Sequence, residues 1–302
     1  MNASDRADPR ALLPETADAA AYRYRHPTPP EALRASIARD GVLCPVGVCE
    51  DRLVSGFRRV ALACELGLAE IGVRRLSGTP LALLCSSVLE NLVTGPLDLM
   101  EQAALVRAAI GLGVEVDEVA GELLPSARVA RAPRLVEQLL AAAELPVRWQ
   151  RIVLAKGLNA PRCALVARLP AGDGDALAAL IETASLSGSE CRMVVDDLLE
   201  ASRRDDRGVG ELVAELGLMV IPAGRDVVAA VRAYRRPQLT AHRRRVAAAV
   251  AAMTLPPALR LAWDEDLEQR GAELRLRLRS ARDLDLAGAV DRVELQKLLD
   301  LL

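Results

Sequence analysis

At Gly95-Pro96 the hydrophobic pattern of this chain changes period, and the change divides what can fold on either side. Upstream, PPEALRASIARDG places Leu33 and Ile37 at helical spacing, with Pro29 and Pro30 at the start and Gly41 at the end. VLCPVGVCE and DRLVSG then read as two short strands around a turn at Glu50-Asp51. Residues 57–66 predict a helix stopped by Gly67, IGVRRL a third strand, and LALLCSSVLENL a further helix. Helix and strand thus alternate over residues 30–95, the pattern of a small α/β domain. Downstream the period is helical almost to residue 235. The spacing predicts helices at 97–112, 116–124, 127–144, 147–156, 161–169, 173–184, 187–203, 207–216 and 224–234, separated by Gly, Pro, Asn or Asp.

After Arg235-Arg236-Pro237 a helix runs through Ala252, followed by strand-like runs at 259–263 and 272–280. The second alternates Leu with polar residues, the period of a half-buried strand. A last helix is expected over 284–302. The expected fold class is α+β. It comprises a disordered tail (1–20), a small α/β domain (21–95), a helical segment (96–170), a helical extension (171–236) and a small C-terminal α/β module (237–302). Val293, Leu295, Leu298 and Leu302 form an apolar seam through which that module could dimerise.

A formal net charge of -2 gives no whole-chain basic signature, so any nucleic-acid surface must be local. Lys156 and Lys297 are the only lysines among 39 basic residues, a bias that a GC-rich coding sequence explains. Arginine abundance is therefore poor evidence for phosphate binding, and position has to carry the argument. The six cysteines, at 44, 49, 64, 85, 163 and 191, include no CxxC pair and are accompanied by two histidines. They are expected to be small buried hydrophobes, not zinc ligands. The MNASDRADPR start is not a secretory signal, and no run of about 18 apolar residues predicts a membrane span. A cytoplasmic, reduced setting is expected.

Two motifs carry chemistry. Ser55-Gly56-Phe57-Arg58-Arg59 lies where a strand gives way to a helix. Glycine lets backbone amides approach a ligand, a helix N-terminus carries partial positive charge, and two guanidinium groups offer forked donors. Such a set suits a polyphosphate. Some thirty residues on, Glu90-Asn91-Leu92 sets a carboxylate beside an amide, oxygen ligands that a magnesium ion bridging phosphates would accept. Each motif has an ordinary structural reading too: a turn glycine before two surface arginines, and a helix C-terminus capped by asparagine.

Taken in order, Ser36-Ile37, Gly41, Pro45-Val46, Gly56-x-Arg58-Arg59, Ala63, Gly67, Glu90-Asn91-Leu92, Leu97 and Glu101-Gln102-Ala103 resemble the N-terminal domain of the ParB family of chromosome and plasmid partition proteins. The resemblance covers about 25–105 and extends more loosely to about 170. It implies a ParB/sulfiredoxin-like fold that binds CTP with Mg2+ and couples the nucleotide to closure of a dimer around DNA. By that resemblance Gly56, Arg58 and Arg59 would cradle the triphosphate, Glu90 and Asn91 would support metal and phosphates, and Arg25 in YRYRHP would match the arginine before the first helix. Three positions depart from the family: Phe57 replaces its glutamate, Thr94 its arginine, and Cys44 a common polar residue. They leave at most slow CTP hydrolysis. The fold is shared with sulfiredoxin-type enzymes, but no cysteine stands in the phosphate-loop motif.

The resemblance also implies a helix-turn-helix after the nucleotide domain. Residues 116–124 match its first helix, Pro125-Ser126 its turn, and Ser126 caps the second helix. Arg128, Arg131 and Arg134 then fall near one helical face, as a row of donors to DNA requires, although Pro133 would interrupt that helix. Arg232, Arg235, Arg236, His242, Arg243, Arg244 and Arg245 form a further basic cluster, suited either to a nucleic-acid backbone or to a solvated helix face. The expected partners are double-stranded DNA, a second copy of the chain and a ParA-type ATPase, at the nucleoid and without a membrane. The expected role is partition, nucleoid organisation or gene regulation. A nucleotide-using or nuclease-type enzyme on the same fold, and a ligand-free scaffold, are the alternatives.

Overall fold

In the computed structural model, residues 1–4, 14–19, 27, 94, 222, 254, 265–270, 279–289 and 302 lie outside the description, and all others are described. The chain divides into two units, Met1–Gly224 and Arg225–Leu302. The expected divisions near 95 and 170 fall within the first unit, and the one near 236 within the second.

The first unit is seeded by a hairpin. β2 (Val46–Cys49) and β3 (Arg52–Ser55) pair antiparallel, with Glu50 at φ 52° taking the left-handed conformation that a tight turn demands. The chain then enters α2 (Phe57–Glu65) and returns as β4 (Ile71–Arg75), parallel to β2 with Val46 opposite Val73. Val46, Val48, Leu53, Ile71 and Val73 bury one face against Val60 and Ala63 of α2, and Phe57 packs at the margin of that core. The expected N-terminal tail is corrected in part. β1 (Asp5–Ala7) pairs antiparallel with β4, and Pro9 is buried in a 3-10 turn at Pro9–Leu12. The physical reason is that β4 would otherwise be an unpaired edge. The strand order is β1-β4-β2-β3.

Around the sheet lie α1 (Glu31–Asp40) and α3 (Pro80–Leu92), the latter capped by Thr79, whose hydroxyl accepts from the Ala82 N–H. α4 (Leu99–Gly111) opens on a capping box in which Asp98 accepts from the Glu101 N–H and Glu101 accepts from the Asp98 N–H. The next helix is continuous over 116–126: α5 (Val116–Glu118), a π segment (Val119–Leu123) and α6 (Leu124–Ser126). Pro125 cannot donate to the Gly121 carbonyl and its ring crowds it. Bonding one residue further back, as from the Leu124 N–H to the Val119 carbonyl, accommodates the mismatch.

α7 (Pro133–Ala143), α8 (Val147–Lys156), α9 (Ala160–Val166), α10 (Ala171–Thr183), α11 (Gly188–Asp205) and α12 (Val209–Glu215) complete the unit, close to the predicted spans. Leu105, Leu123, Leu139, Leu177, Leu198 and Leu212 are fully buried among them. No described helix is long and apolar enough to cross a membrane. Of the cysteines, Cys163 and Cys191 are buried as expected, Cys49, Cys64 and Cys85 are partly buried, and Cys44 is exposed. Cys44 departs from expectation because it precedes β2 and misses the inward face of the sheet.

The second unit contains α13 (Gly224–Arg235), α14 (Pro237–Ala252), an antiparallel ribbon of β5 (Leu259–Trp263) and β6 (Ala272–Leu276), and α15 (Arg292–Leu299). Val246, Met253, Leu259, Val290 and Leu298 form its core. The expected seam is corrected at Leu298, which is buried within this unit, while Val293 stays exposed. Leu302 and the ends of the expected 272–280 strand and 284–302 helix lie outside the described residues.

Candidate functional site

The hairpin delivers Ser55 and Gly56 to one end of the sheet, where α2 begins. Gly56 is the residue before the first turn of α2, at φ 95° and ψ 18°, and a Cβ there would stand 2.6 Å from Val46 Cγ1. Glycine is required twice over, by the left-handed backbone and by the close approach. Arg58 and Arg59 follow in the first turn of α2.

Arg59 reaches back under the strand end. Its Nη1 donates to the carbonyls of Cys44 at 2.7 Å and Pro45 at 2.9 Å, and its Nη2 pairs with Glu90. Glu90, from the last turn of α3, also accepts from Ser55 Oγ at 2.9 Å and from Arg74 at 3.3 Å. Arg58 donates through Nε to the His26 carbonyl at 2.8 Å, and its Nη2 lies 3.6 Å from Glu101. Burial and the neighbouring Arg25 lower the Arg58 pKa from its usual value, against the raising effect of Glu101.

Glu101 is the hub. Its side chain is 5% exposed, receives Arg25 Nη1 at 2.8 Å and the His26 N–H at 3.2 Å, and belongs to the first turn of α4. Asn91 turns the other way: its amide donates to the Tyr24 hydroxyl at 2.7 Å and to the Ser87 carbonyl at 2.9 Å. Burial raises the Tyr24 phenol above its usual pKa.

Arg25, Gly56, Arg58, Arg59, Glu90 and Asn91, predicted together from distant positions, thus share one end of the α/β region. Tyr24, Ser55, Arg74 and Glu101 are further members that the motifs did not single out as site residues. An Asp98-x-x-Glu101 capping pattern is visible in the sequence, but its reach to Arg25, 76 residues earlier, is not.

As a chemical device the cluster is a set of guanidinium forks held closed by carboxylates, suited to exchange those carboxylates for phosphate oxygens. It fits a preformed magnesium site poorly. Both Glu90 oxygens are taken by guanidinium or hydroxyl donors, and Arg59 and Arg74 would repel a bare cation. His26, Asp98 and Glu101 bring three ligand atoms within 4.8 Å of one another, yet Glu101 is already neutralised by Arg25.

The expected helix-turn-helix is corrected in its detail. Pro125 and Ser126 end the first helix, and the turn is 127–132. Ser126 Oγ donates to the Glu122 carbonyl at 2.8 Å, so it does not cap a following helix. Arg128 has φ 59°, Arg131 stands in the turn near Gly121, and Arg134 lies in the first turn of α7. The three arginines are exposed but do not share a helical face. Pro133, at the first position of α7, starts the helix instead of breaking it, because its fixed φ suits that position and no N–H is missed there.

No family model matches the chain, and no curated protein matches it. Among solved structures it is similar to the C-terminally truncated chromosome-partitioning protein ParB from Caulobacter crescentus complexed to the centromeric parS site. Identity is 21%, over 64% of this chain and 99% of that chain, with a TM-score of 0.37. The same protein complexed with CTP-gamma-S is similar at 22% identity, over 59% of this chain and 98% of that one, with a TM-score of 0.25.

Proposed function

We propose that the chain is a ParB-like DNA-binding protein whose N-terminal α/β region binds a nucleoside triphosphate, CTP by the resemblance of its motifs, as a conformational switch. One observation carries the reading: Arg58 and Arg59, in the turn that follows Gly56, are each held by a carboxylate that an incoming phosphate could replace, Glu101 and Glu90. Arg59 would exchange Glu90 for phosphate oxygens, and Arg58 would leave Glu101. Because Glu101 also closes the capping box of α4, that exchange alters the first helix after the nucleotide region. A ligand that favours the opened arrangement shifts the population towards it.

Magnesium would supply charge neutralisation to the triphosphate. The chain's own contribution is the guanidinium set and the Gly56 backbone. Phe57 packs against the core where the family has glutamate, which leaves this position without an acid or base. Hydrolysis is therefore at most slow. Arg128, Arg131 and Arg134 offer an exposed basic edge for DNA phosphates, with sequence readout unassigned. Dimerisation, a ParA-type partner and a role in partition, nucleoid organisation or gene regulation belong to the same proposal.

The test is calorimetric titration of the full chain with CTP, ATP, GTP and UTP in the presence of magnesium, beside Arg58→Ala. CTP binding abolished by the substitution supports the switch. Absence of binding by any of the four at millimolar concentration overturns it.

A further inference from the structure

A second concave surface borders the first on its helical side. It is a cleft of about 290 Å3, near the lower end of small-ligand sites, lined by Arg23, Tyr24, Arg25, His26, Arg107 and Gln150 over a floor of Met100, Ala104 and Ala143. Among the described residues, three arginines and a histidine line it, and no carboxylate does.

The carboxylates nearby hold some of these groups from outside the cleft. Glu101 neutralises Arg25 and fixes its direction, and Asp98 Oδ2 lies 2.8 Å from His26 Nε2. The other two cations are poorly compensated. Arg107 donates to the last carbonyl of α7, Ala143, at 3.2 Å, and its closest carboxylate among the described residues, on Glu144, is 3.9 Å away with both side chains largely exposed. The Arg23 guanidinium has no ion pair or hydrogen bond among the described residues. Like charges facing one concavity repel, and an anion between them removes the repulsion. Forked guanidinium donors match phosphate oxygens, and the alanine floor leaves them room.

We propose that this cleft is a separate anion site for a compact phosphate group, free or carried on a small molecule, held chiefly by Arg23 and Arg107 with Arg25 fixed behind them. It shares Arg25 with the candidate nucleotide site, but Gly56, Arg58, Arg59, Glu90 and Asn91 do not line it.

The experiment titrates the full chain with inorganic pyrophosphate by calorimetry, in the wild type and in Arg107→Ala, Arg107→Lys, Arg23→Ala and Arg59→Ala. Orthophosphate and CMP are run in parallel, to separate a free anion from a phosphate borne on a larger body. Arg107→Ala and Arg23→Ala should each weaken pyrophosphate about ten- to hundredfold, the range for a charge-assisted hydrogen bond, while Arg107→Lys keeps most of the affinity and Arg59→Ala, at the nucleotide site, leaves the binding that depends on Arg23 and Arg107 in place. Arg23, whose guanidinium has no partner among the described residues, decides the matter should Arg107→Ala lower the melting temperature. Loss in Arg59→Ala with no effect at Arg23 and Arg107 overturns the proposal and assigns the anion to the Gly56 site. No pyrophosphate binding at millimolar concentration overturns it as well. If the Arg23 and Arg107 variants then weaken duplex DNA instead, the cleft is a DNA-backbone surface.

Discussion

Arginine does opposite things in two regions of this molecule. At the end of the sheet, Arg25, Arg58 and Arg59 are mostly buried and tied to Glu101, Glu90 and backbone carbonyls. In and beside the 127–132 turn, Arg128, Arg131 and Arg134 are exposed and form no ion pair among the described residues. A guanidinium removed from water must be paired, so the first set is part of the fold as well as a candidate site. A guanidinium left in water contributes little to stability and remains available to an external phosphate. In a chain with so many arginines, partners and burial separate structural from binding roles where composition cannot.

The sharpest way to break the comparison is Glu101→Gln. It leaves Arg25 and Arg58 without their shared carboxylate and should destabilise the first unit by about 3 kcal/mol, the low end for breaking a buried pair. Urea denaturation would read it, and a change below about 0.5 kcal/mol, the range of ordinary surface substitutions, would place this network with the surface arginines after all. Gly56→Ala should cost about 1–3 kcal/mol, from a left-handed φ and the clash with Val46, with the same readout.

Replacing Arg128, Arg131 and Arg134 together by Ala should change stability by about 0.5 kcal/mol or less. It should weaken DNA binding across sequences and reduce the slope of log affinity against log salt by about 0.9 for each phosphate no longer neutralised. A large fall in stability with unchanged DNA binding would invert the assignment of the two regions.

Cysteine offers a further contrast. Burial pushes Cys163 up to about 11, whereas an unfolded thiol ionises near 9.0. Between those values the folded state binds more protons, so stability falls as pH rises from about 9 to 11. Thermal melts across that window should show the fall, diminished in Cys163→Ala. Alkylation at pH 8 should label exposed Cys44 long before Cys163.

Much of this was legible before folding. Gly95-Pro96 does separate the alternating region from the helical one, and most predicted helices lie within a few residues of those observed. Gly56, Arg58, Arg59, Glu90 and Asn91 could be grouped because motif order carries information that single motifs lack. The N-terminal strand could not be found, since three residues pairing with β4 leave no periodic trace. Nor could the end of the 116–126 helix, where a π register absorbs Pro125.

The local pattern of this sequence determined where helices and strands form, because apolar spacing and Gly/Pro punctuation act over a few residues. Its motif order likewise grouped Gly56, Arg58, Arg59, Glu90 and Asn91 before any contact between them was known. Only the tertiary structure decided which charges neutralise each other: that Glu101 answers Arg25 and Arg58, that Glu90 answers Arg59, and that Arg23 and Arg107 share a cleft lined by no carboxylate among the described residues. Those pairings join residues up to 76 positions apart, and Coulombic and hydrogen-bond energies depend on distance in space, which sequence separation does not encode.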